Sequence, residues 1–421
     1  MYEYQGMGYL KNLLRKKRDR VDLRYKYYEM KNVVRDLALT AGNKLGRFDA
    51  VLGWCPKAVD SLSDRLIFKG WKDDLFNIES IFRMNNADVF FDSAIISALI
   101  GGCSFIYVSL DEEGFPRLEV IDGRDATGIV DPVTNLLREG YAVLERDPKT
   151  GHPTTEAYFQ TGLTTIISRG EIREIPNAAP APLLVPVIYR PDAKRPLGHS
   201  RISRASMSIL RGAARTVKRS EVSAEFYSFP QKYVVGMSGE DIETVDNWKA
   251  AISKFLMIEK DDISGDKPTI GQFQQASMSP FSEQLRTFAS LFAGENGLTL
   301  DDLGFVSDNP SSAEAIKASH ETLRLTARKA QRTFGTCFLN VGFVASCLRD
   351  EKSYLRRQFY LTTPVWEPIF EPDAATLSAI GDGAIKLNQA VPGYFNTDNL
   401  PALTGLDPSS LPTSGMETGD D

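Results

Sequence analysis

The feature that most constrains this chain is a long helical pattern running from Ser312 to about Leu348. At about 1.5 Å per residue such a helix spans on the order of 55 Å, too long to trim a surface, and it reads as a spine crossing the body. Its start is marked by Ser311 and Glu314, which stand at the S-x-x-E spacing of a capping box. In that arrangement each side chain satisfies a backbone N–H that the first helical turn leaves open. Immediately upstream, LDDLGFVSDNP contains Gly304 and a Ser-Asp-Asn-Pro turn signal. A polar connection between two helices needs no function. This one sets Phe305 and Val306 among Asp301, Asp302 and Asp308, with Leu303, Ser307 and Asn309 completing it. The expectation is a mobile loop that presents contact residues.

Two shorter helical patterns precede the loop. Residues 198–229 place Arg201, Arg204, Arg211, Arg215, Lys218 and Arg219 in one sector of a helical wheel. Ile202, Met207, Ile209, Leu210, Ala213, Ala214 and Val217 fall opposite, and Pro230 ends the segment. The basic stripe reads as a solvated face, as a partner for acids on an adjacent helix, or as a surface for DNA phosphate or an acidic neighbour. Residues 280–297 carry the stripe Phe281, Leu285, Phe288, Leu291, with Ser279 as expected cap and Pro280 at the first helical position. Between the two helices, KYVVGM and LMIEK are strand-like, Asp241 to Phe255 is helix-like and SGDKP is a turn, which together describe a small α/β insertion.

From 104 to 190 the texture is β. SFIYVSL, PRLEVID, ATGIVD, GYAVLE, TEAYFQ, TTIISR and PVIYR alternate with turns such as EEGFP and RDPKTGHP, the sign of an antiparallel sheet. Before it, Ala50 to Leu66 and Ile78 to Ile100 have helical spacing, with Asp74 as a candidate cap for the second. The first 45 residues hold a basic run, KNLLRKKRDR, followed by Tyr25, Tyr27 and Tyr28, read either as a solvated helix or as a docking arm. Beyond 349, RRQFYLTTPVW is strand-like, Asp373 to Gln389 helical, and 408–421 has a composition expected to be disordered.

Composition limits the chemistry. A formal net charge of -6 argues against tight binding of nucleic acid through a large basic surface, while leaving room for DNA that slides past. Cys55, Cys103, Cys337 and Cys347 show no C-x-x-C spacing, and His152, His199 and His320 lie far from them in sequence, so no metal site is expected. None of the histidines accompanies a G-x-S-x-G motif, and no G-x-G-x-x-G or Walker A pattern occurs. The carboxylate pairs Asp73-Asp74, Glu112-Glu113, Asp261-Asp262 and Asp301-Asp302 read as water-facing loops or helix ends. Apolar runs fall short of the roughly 18 residues of a membrane span, and no apolar core follows the N-terminal basic stretch. The expectation is a soluble intracellular protein that is not an enzyme and carries no cofactor.

Two stretches together resemble a known family. LDDLGFVSDNPSSAEAIKASHETLRLTARKAQRTFG is similar to the tunnel loop and long helix of tailed-bacteriophage portal proteins, with Lys317, Arg324, Arg328, Lys329 and Arg332 on the charged helix. GHSRISRASMSILRGAARTVKRSEVSAEFYSFPQKYVVG resembles the family's stem-helix region, including its Phe-Pro-Gln-Lys-Tyr ending. The motif likeness covers about 190–350.

The resemblance implies an α+β, portal-like fold. It implies a wing over 1–197, stem helices at 198–229 and 280–297, and a clip at 230–279. It further implies a tunnel loop at 298–311, a long wing helix at 312–348, and a wing return with a short crown over 349–421. It implies a dodecameric ring at one capsid vertex that passes double-stranded DNA. Its expected partners are the terminase large subunit, a head-completion or adaptor protein, the major capsid protein and scaffold, with no membrane. Two alternatives stay open: another capsid-associated adaptor, or a metal-dependent DNA enzyme using the clustered acids.

Overall fold

The computed structural model describes residues 5–32, 50–228, 232–237, 256–259, 269–272, 277–305, 318–370, 374–396 and 400. In chain order the elements begin with α1 (Met7–Tyr28), α2 (Trp54–Ser63), β1 (Phe68–Lys72), α3 (Ile78–Met84) and α4 (Ala87–Gly101). Eight strands follow: β2 (Cys103–Leu110), β3 (Pro116–Asp122), β4 (Ala126–Val130), β5 (Leu137–Arg146), β6 (Pro153–Gln160), β7 (Leu163–Ser168), β8 (Glu171–Pro176) and β9 (Leu184–Ile188). Then come α5 (Arg204–Ser228), β10 (Lys232–Met237), β11 (Leu256–Glu259), β12 (Thr269–Gln272) and α6 (Ser279–Asn296). The chain continues with α7 (Glu321–Arg349), β13 (Thr363–Trp366) and α8 (Ala374–Ala390). It is a mixed α and β fold that divides into two compact units. One comprises residues 1–25, 58–202 and 313–421, the other 26–57 and 203–312.

In the first unit the β-rich stretch forms two antiparallel sheets, in the orders β3-β2-β9 and β4-β5-β6-β7-β8. β2 is buried from Cys103 to Val108, and Phe105 sits between Ile121 of β3 and Pro186 of β9. Pro186 has no N–H to give, which an edge strand such as β9 tolerates. β8, an edge strand of the five-stranded sheet, is exposed and charged (Glu171, Arg173, Glu174), a pattern that discourages pairing with stray strands. α1 lays Leu10 and Leu14 on Tyr141 and Val143 of β5.

α7 packs on β2 and β9 and buries almost every residue from Phe334 to Leu348. Around Phe338 gather Phe68, Phe90, Phe91, Phe334 and Trp366, with ring centroids 4.7–6.4 Å apart, the range in which edge-to-face and offset pairs stabilise a core. β1 and β13 close this cluster as an antiparallel pair, Phe68 opposite Trp366. Gly342 has a spatial reason to be glycine: a Cβ there would lie 2.9 Å from Cδ1 of Ile78.

Several expected boundaries move. The helix expected over 78–100 is two helices, because the Asn85 side chain leaves the helical path to bond β3: its amide donates to the Pro116 carbonyl at 2.9 Å, and its Oδ1 accepts from Leu118 N–H at 2.9 Å. Asn77, left-handed at φ 49°, holds the cap position of α3 without a side-chain cap bond, so Asp74 is not its N-cap, although its Oδ2 accepts from Glu79 N–H in the first turn at 2.9 Å. The helix expected over Ala50 to Leu66 is the shorter α2. RRQFYLTTPVW is not one strand. Phe359 turns inward to stack on Phe76, centroids 3.9 Å apart, so Arg356–Phe359 forms a 3-10 turn and only Thr363–Trp366 pairs.

The basic run of the N-terminal segment is partly absorbed into the same unit. Lys11 pairs with Glu156 at 2.6 Å, and Lys17 donates to the Ala126 carbonyl at 3.1 Å and lies over the Phe105 ring. Arg24 donates to the Gly101 carbonyl at 2.8 Å. Those three cations tie α1 to its own unit, so neither a fully solvated helix nor a free arm describes it. Arg15, Lys16 and Arg20 remain exposed.

In the second unit α5 and α6 run antiparallel. Of the insertion between them, β10 pairs parallel with β11 and antiparallel with β12. The helix expected over 241–255, the SGDKP turn and the C-terminal stretch 408–421 lie outside the described residues.

Candidate functional site

The α5–α6 pair and the segment after it hold most of the expected site residues. α5 starts at Arg204 because Ser203 caps it, its Oγ accepting from Ser206 N–H at 3.0 Å. Residues 198–202 are therefore outside the helix, which corrects the expected start. Arg201 leaves the stripe with them. It is buried, its N–H donates to the Leu99 carbonyl at 2.8 Å and its Nε to the Ala58 carbonyl at 3.1 Å. Burial, the largest influence on it, lowers its pKa. A helical wheel counted it as surface because the wheel assumed a helix that has not yet begun.

The remaining stripe is real as a face: Arg204, Arg211, Arg215 and Arg219 are exposed, and Lys218 is half-buried. Leu210, Ala213 and Ala214 on the opposite face are buried, and α5 packs against α6. Gly212 admits the closest approach, since a Cβ there would stand 2.8 Å from the Phe288 ring. Polar pairs stitch the same seam. Ser203 Oγ donates to Glu295 Oε1 at 2.7 Å, Asn296 Nδ2 donates to Ser206 Oγ at 3.1 Å, and Thr216 Oγ1 donates to Gln284 Oε1 at 2.9 Å. Ser206, Thr216 and Asn296 are buried, and buried polar groups satisfied in this way fix register as well as association, since a slipped pairing would leave them without partners. The wheel had no means of finding these cross-helix pairs.

α6 begins one residue before the expected Pro280, with Ser279 already helical and Met278 in the capping position, so Ser279 is not the cap. The helix ends at Gly297, whose φ of 62° is left-handed and whose N–H donates to the Ala293 carbonyl. The segment beyond Gly297 is more ordered at its start than a free loop. Asp302 Oδ2 accepts from Thr299 N–H at 2.9 Å while Thr299 Oγ1 accepts from Asp302 N–H at 3.2 Å, the reciprocal bonds of a capping box. They hold a 3-10 turn, Asp301–Leu303, that buries Leu303. Asp301 is exposed, Gly304 has φ 88°, and Phe305 is half-buried. Val306, Ser307, Asp308 and Asn309, together with the expected cap residues Ser311 and Glu314, lie outside the described residues. The expected helix does not run unbroken through His320: α7 begins at Glu321 with His320 in its capping position, which corrects the expected start.

Residues 8–354 match the family described as phage portal protein, SPP1 Gp6-like. The chain belongs to this portal family. The match covers everything from the start of α1 through α7 and stops before β13 and α8, so the portal signature includes the helix pair and both antiparallel sheets. The chain is 26% identical over 388 residues to the portal protein of Mycobacterium phage L5, covering 86% of this chain and 77% of that one. It is 25% identical over 395 residues to the portal protein of Mycobacterium phage D29, with the same coverage. Among solved structures it is similar to a chain in the virion of a native gene transfer agent particle, with TM-score 0.47 and 12% identity over 84% of this chain and 90% of the other. It is also similar to a chain in the neck of the native particle computed with C12 symmetry, with TM-score 0.44, 12% identity and the same coverage.

In this portal chain the cysteines are buried and His199 is tied to an acid. The four cysteines are free and buried, and burial pushes the thiol of Cys55 up to about 12 and those of Cys337 and Cys347 up to about 11, away from the nucleophilic thiolate. His199 Nε2 pairs with Asp192 Oδ2 at 2.6 Å, His320 precedes α7, and His152 sits exposed in a turn. Among the described residues no group of three or more His, Cys, Asp or Glu is placed to hold a metal ion. No helix among them is long and apolar enough to cross a membrane.

Proposed function

We propose that this portal-family chain is the subunit of a dodecameric ring at one capsid vertex, through which double-stranded DNA is packaged and ejected. The observation that carries the reading is the family match over residues 8–354, continuous through the α5–α6 pair and the segment that leads into α7. In this reading α5 and α6 are the stem, the β10–β12 insertion the clip, the segment from 298 to 311 the tunnel loop, α7 the long wing helix, and the two antiparallel sheets the wing. The ring docks the terminase large subunit during packaging and head-completion proteins afterwards, and contacts the major capsid protein and scaffold during assembly. The acidic net charge of -6 suits a channel, because DNA affinity rises with each phosphate a protein neutralises and a conduit must let the duplex slide.

Deleting Gly304 to Asn309 tests the channel role. The Thr299–Asp302 turn stays in place, so the expected outcome is normal rings with impaired packaging or retention of DNA, read as genome content per particle. Normal genome content in the deletion variant would remove the tunnel role. Rotational classification of cryo-EM images of the particle vertex tests the ring itself, and a vertex without ring symmetry would count against it.

A further inference from the structure

In the first unit an open cleft of about 960 Å³ lies beside α7 and the Pro191–Pro196 segment. Apolar Val130, Pro132 and Pro196 line it together with Arg190, Lys329 and Arg332, and all three cations are exposed. One acid, Asp192, also lines the cleft, and Asp131 stands beside it; both have partners. Asp131 pairs with Arg138 at 3.0 Å and accepts the Thr134 hydroxyl at 2.8 Å, and Asp192 is held by His199. Among the described residues Arg190, Lys329 and Arg332 form no ion pair. The cleft therefore offers an apolar lining with an excess of positive charge, three cations against the single lining acid Asp192.

The same unit carries a surface of the opposite kind on α4. Asp88 and Asp92 are four residues apart, hence on one face of the helix, and neither forms an ion pair among the described residues. Between them Val89 is 61% exposed, and Met84, at the end of α3, is 73% exposed. Burial raises the pKa of Asp92, and the nearby carboxylates of Asp88 and Asp64 raise it further, which is the mark of acids lacking a counter-charge. A closed ring needs heterologous contacts in which each subunit presents two different, complementary faces.

We propose that the cleft receives the Asp88–Asp92 face of a second copy of this chain, with Arg190, Lys329 and Arg332 opposite the two aspartates and Val89 against the apolar lining. The inference rests on the ring reading above. The match is double, apolar to apolar and cation to acid, and that decides the occupant: a DNA backbone would satisfy the cations and leave the valine and proline surfaces unused. Interfaces of this composition, an apolar centre with charge around it, also fix register between subunits.

Charge reversal tests it on the full-length chain, with the ring fraction measured by analytical ultracentrifugation at matched concentration. Lys329→Glu with Arg332→Glu, and separately Asp88→Lys with Asp92→Lys, are each expected to lower the ring fraction by about tenfold or more. Combining all four substitutions should restore most of it. Should circular dichroism show that a reversal variant misfolds, the milder Lys329→Gln/Arg332→Gln and Asp88→Asn/Asp92→Asn pairs are read instead, as increased sensitivity of the ring to salt. Rings untouched by either pair, or no rescue on combination, overturn the pairing while leaving the ring reading intact. Loss of duplex-DNA binding by the Lys329/Arg332 variant with rings unaffected would also overturn it, in favour of a nucleic-acid site. If the unaltered chain forms no ring in solution or in particles, the ring reading itself fails and the pairing falls with it.

Discussion

Glu156 shows how one carboxylate is set by competing influences. Burial acts to raise its pKa, yet the hydrogen bonds from Lys11 and Tyr141 bring it below the usual value of 4.5. A carboxyl whose folded pKa is depressed adds stability above its unfolded pKa, and that contribution fades as pH falls through the folded pKa. Glu156→Gln should therefore destabilise the chain at neutral pH, and the gap from the unaltered protein should narrow as pH falls through the depressed folded pKa of Glu156. Urea unfolding repeated across pH reads this directly, and a pH-independent gap would show that packing rather than charge is at stake. Tyr141, the donor on the other side, is itself pushed well above the ordinary phenol range by burial and by this carboxylate. The pair pins α1 to β5 and β6, so the basic run acts locally as a fastening.

At the level of elements, glycines in helices separate propensity from packing. Gly342 in α7 and Gly212 in α5 each face a side chain less than 3.0 Å from where a Cβ would stand, Ile78 and Phe288 respectively. Gly294 in α6 faces open space. Alanine is intrinsically the better helix former by about 1 kcal/mol, but overpacking a core costs about 1–3 kcal/mol. Gly294→Ala should raise stability by about 0.5–1 kcal/mol, while Gly342→Ala and Gly212→Ala should lower it. Equal effects at all three positions in denaturant unfolding would mean that helix propensity outweighs the close contacts. Gly212 matters beyond stability, since it lets α5 and α6 meet closely enough for the Ser206–Asn296 and Thr216–Gln284 bonds to form.

For the molecule as a whole, the ring reading proposes that the exposed arginine face of α5 acts between subunits or on DNA. Arg204, Arg215 and Arg219 form no ion pair among the described residues, so replacing them and Arg211 with glutamine should change the stability of the monomer by no more than about 0.5 kcal/mol. The expected effect is on ring assembly or DNA passage, measured as ring fraction and genome content per particle. Unchanged assembly and packaging would leave a solvated face only.

Element types were largely legible in the amino-acid sequence, because helical spacing, β-rich runs and turn residues report local preference. The antiparallel β segment and the two helices flanking an insertion came from that level, while the portal family came from the resemblance of two stretches to known members. What the sequence could not determine depends on contacts between residues far apart along the chain. Asn85 breaks a helix because β3 offers it backbone partners, and Arg201 is buried because Ala58 and Leu99 supply acceptors. Asp302 belongs to a structured turn because Thr299 returns its hydrogen bond, a pairing short enough in sequence to have been found there. The cleft beside α7 exists only once β4 and the Pro191–Pro196 segment are brought to that helix. Periodicity reports which face of a segment is apolar; which charges on the other face find partners is decided by the tertiary fold.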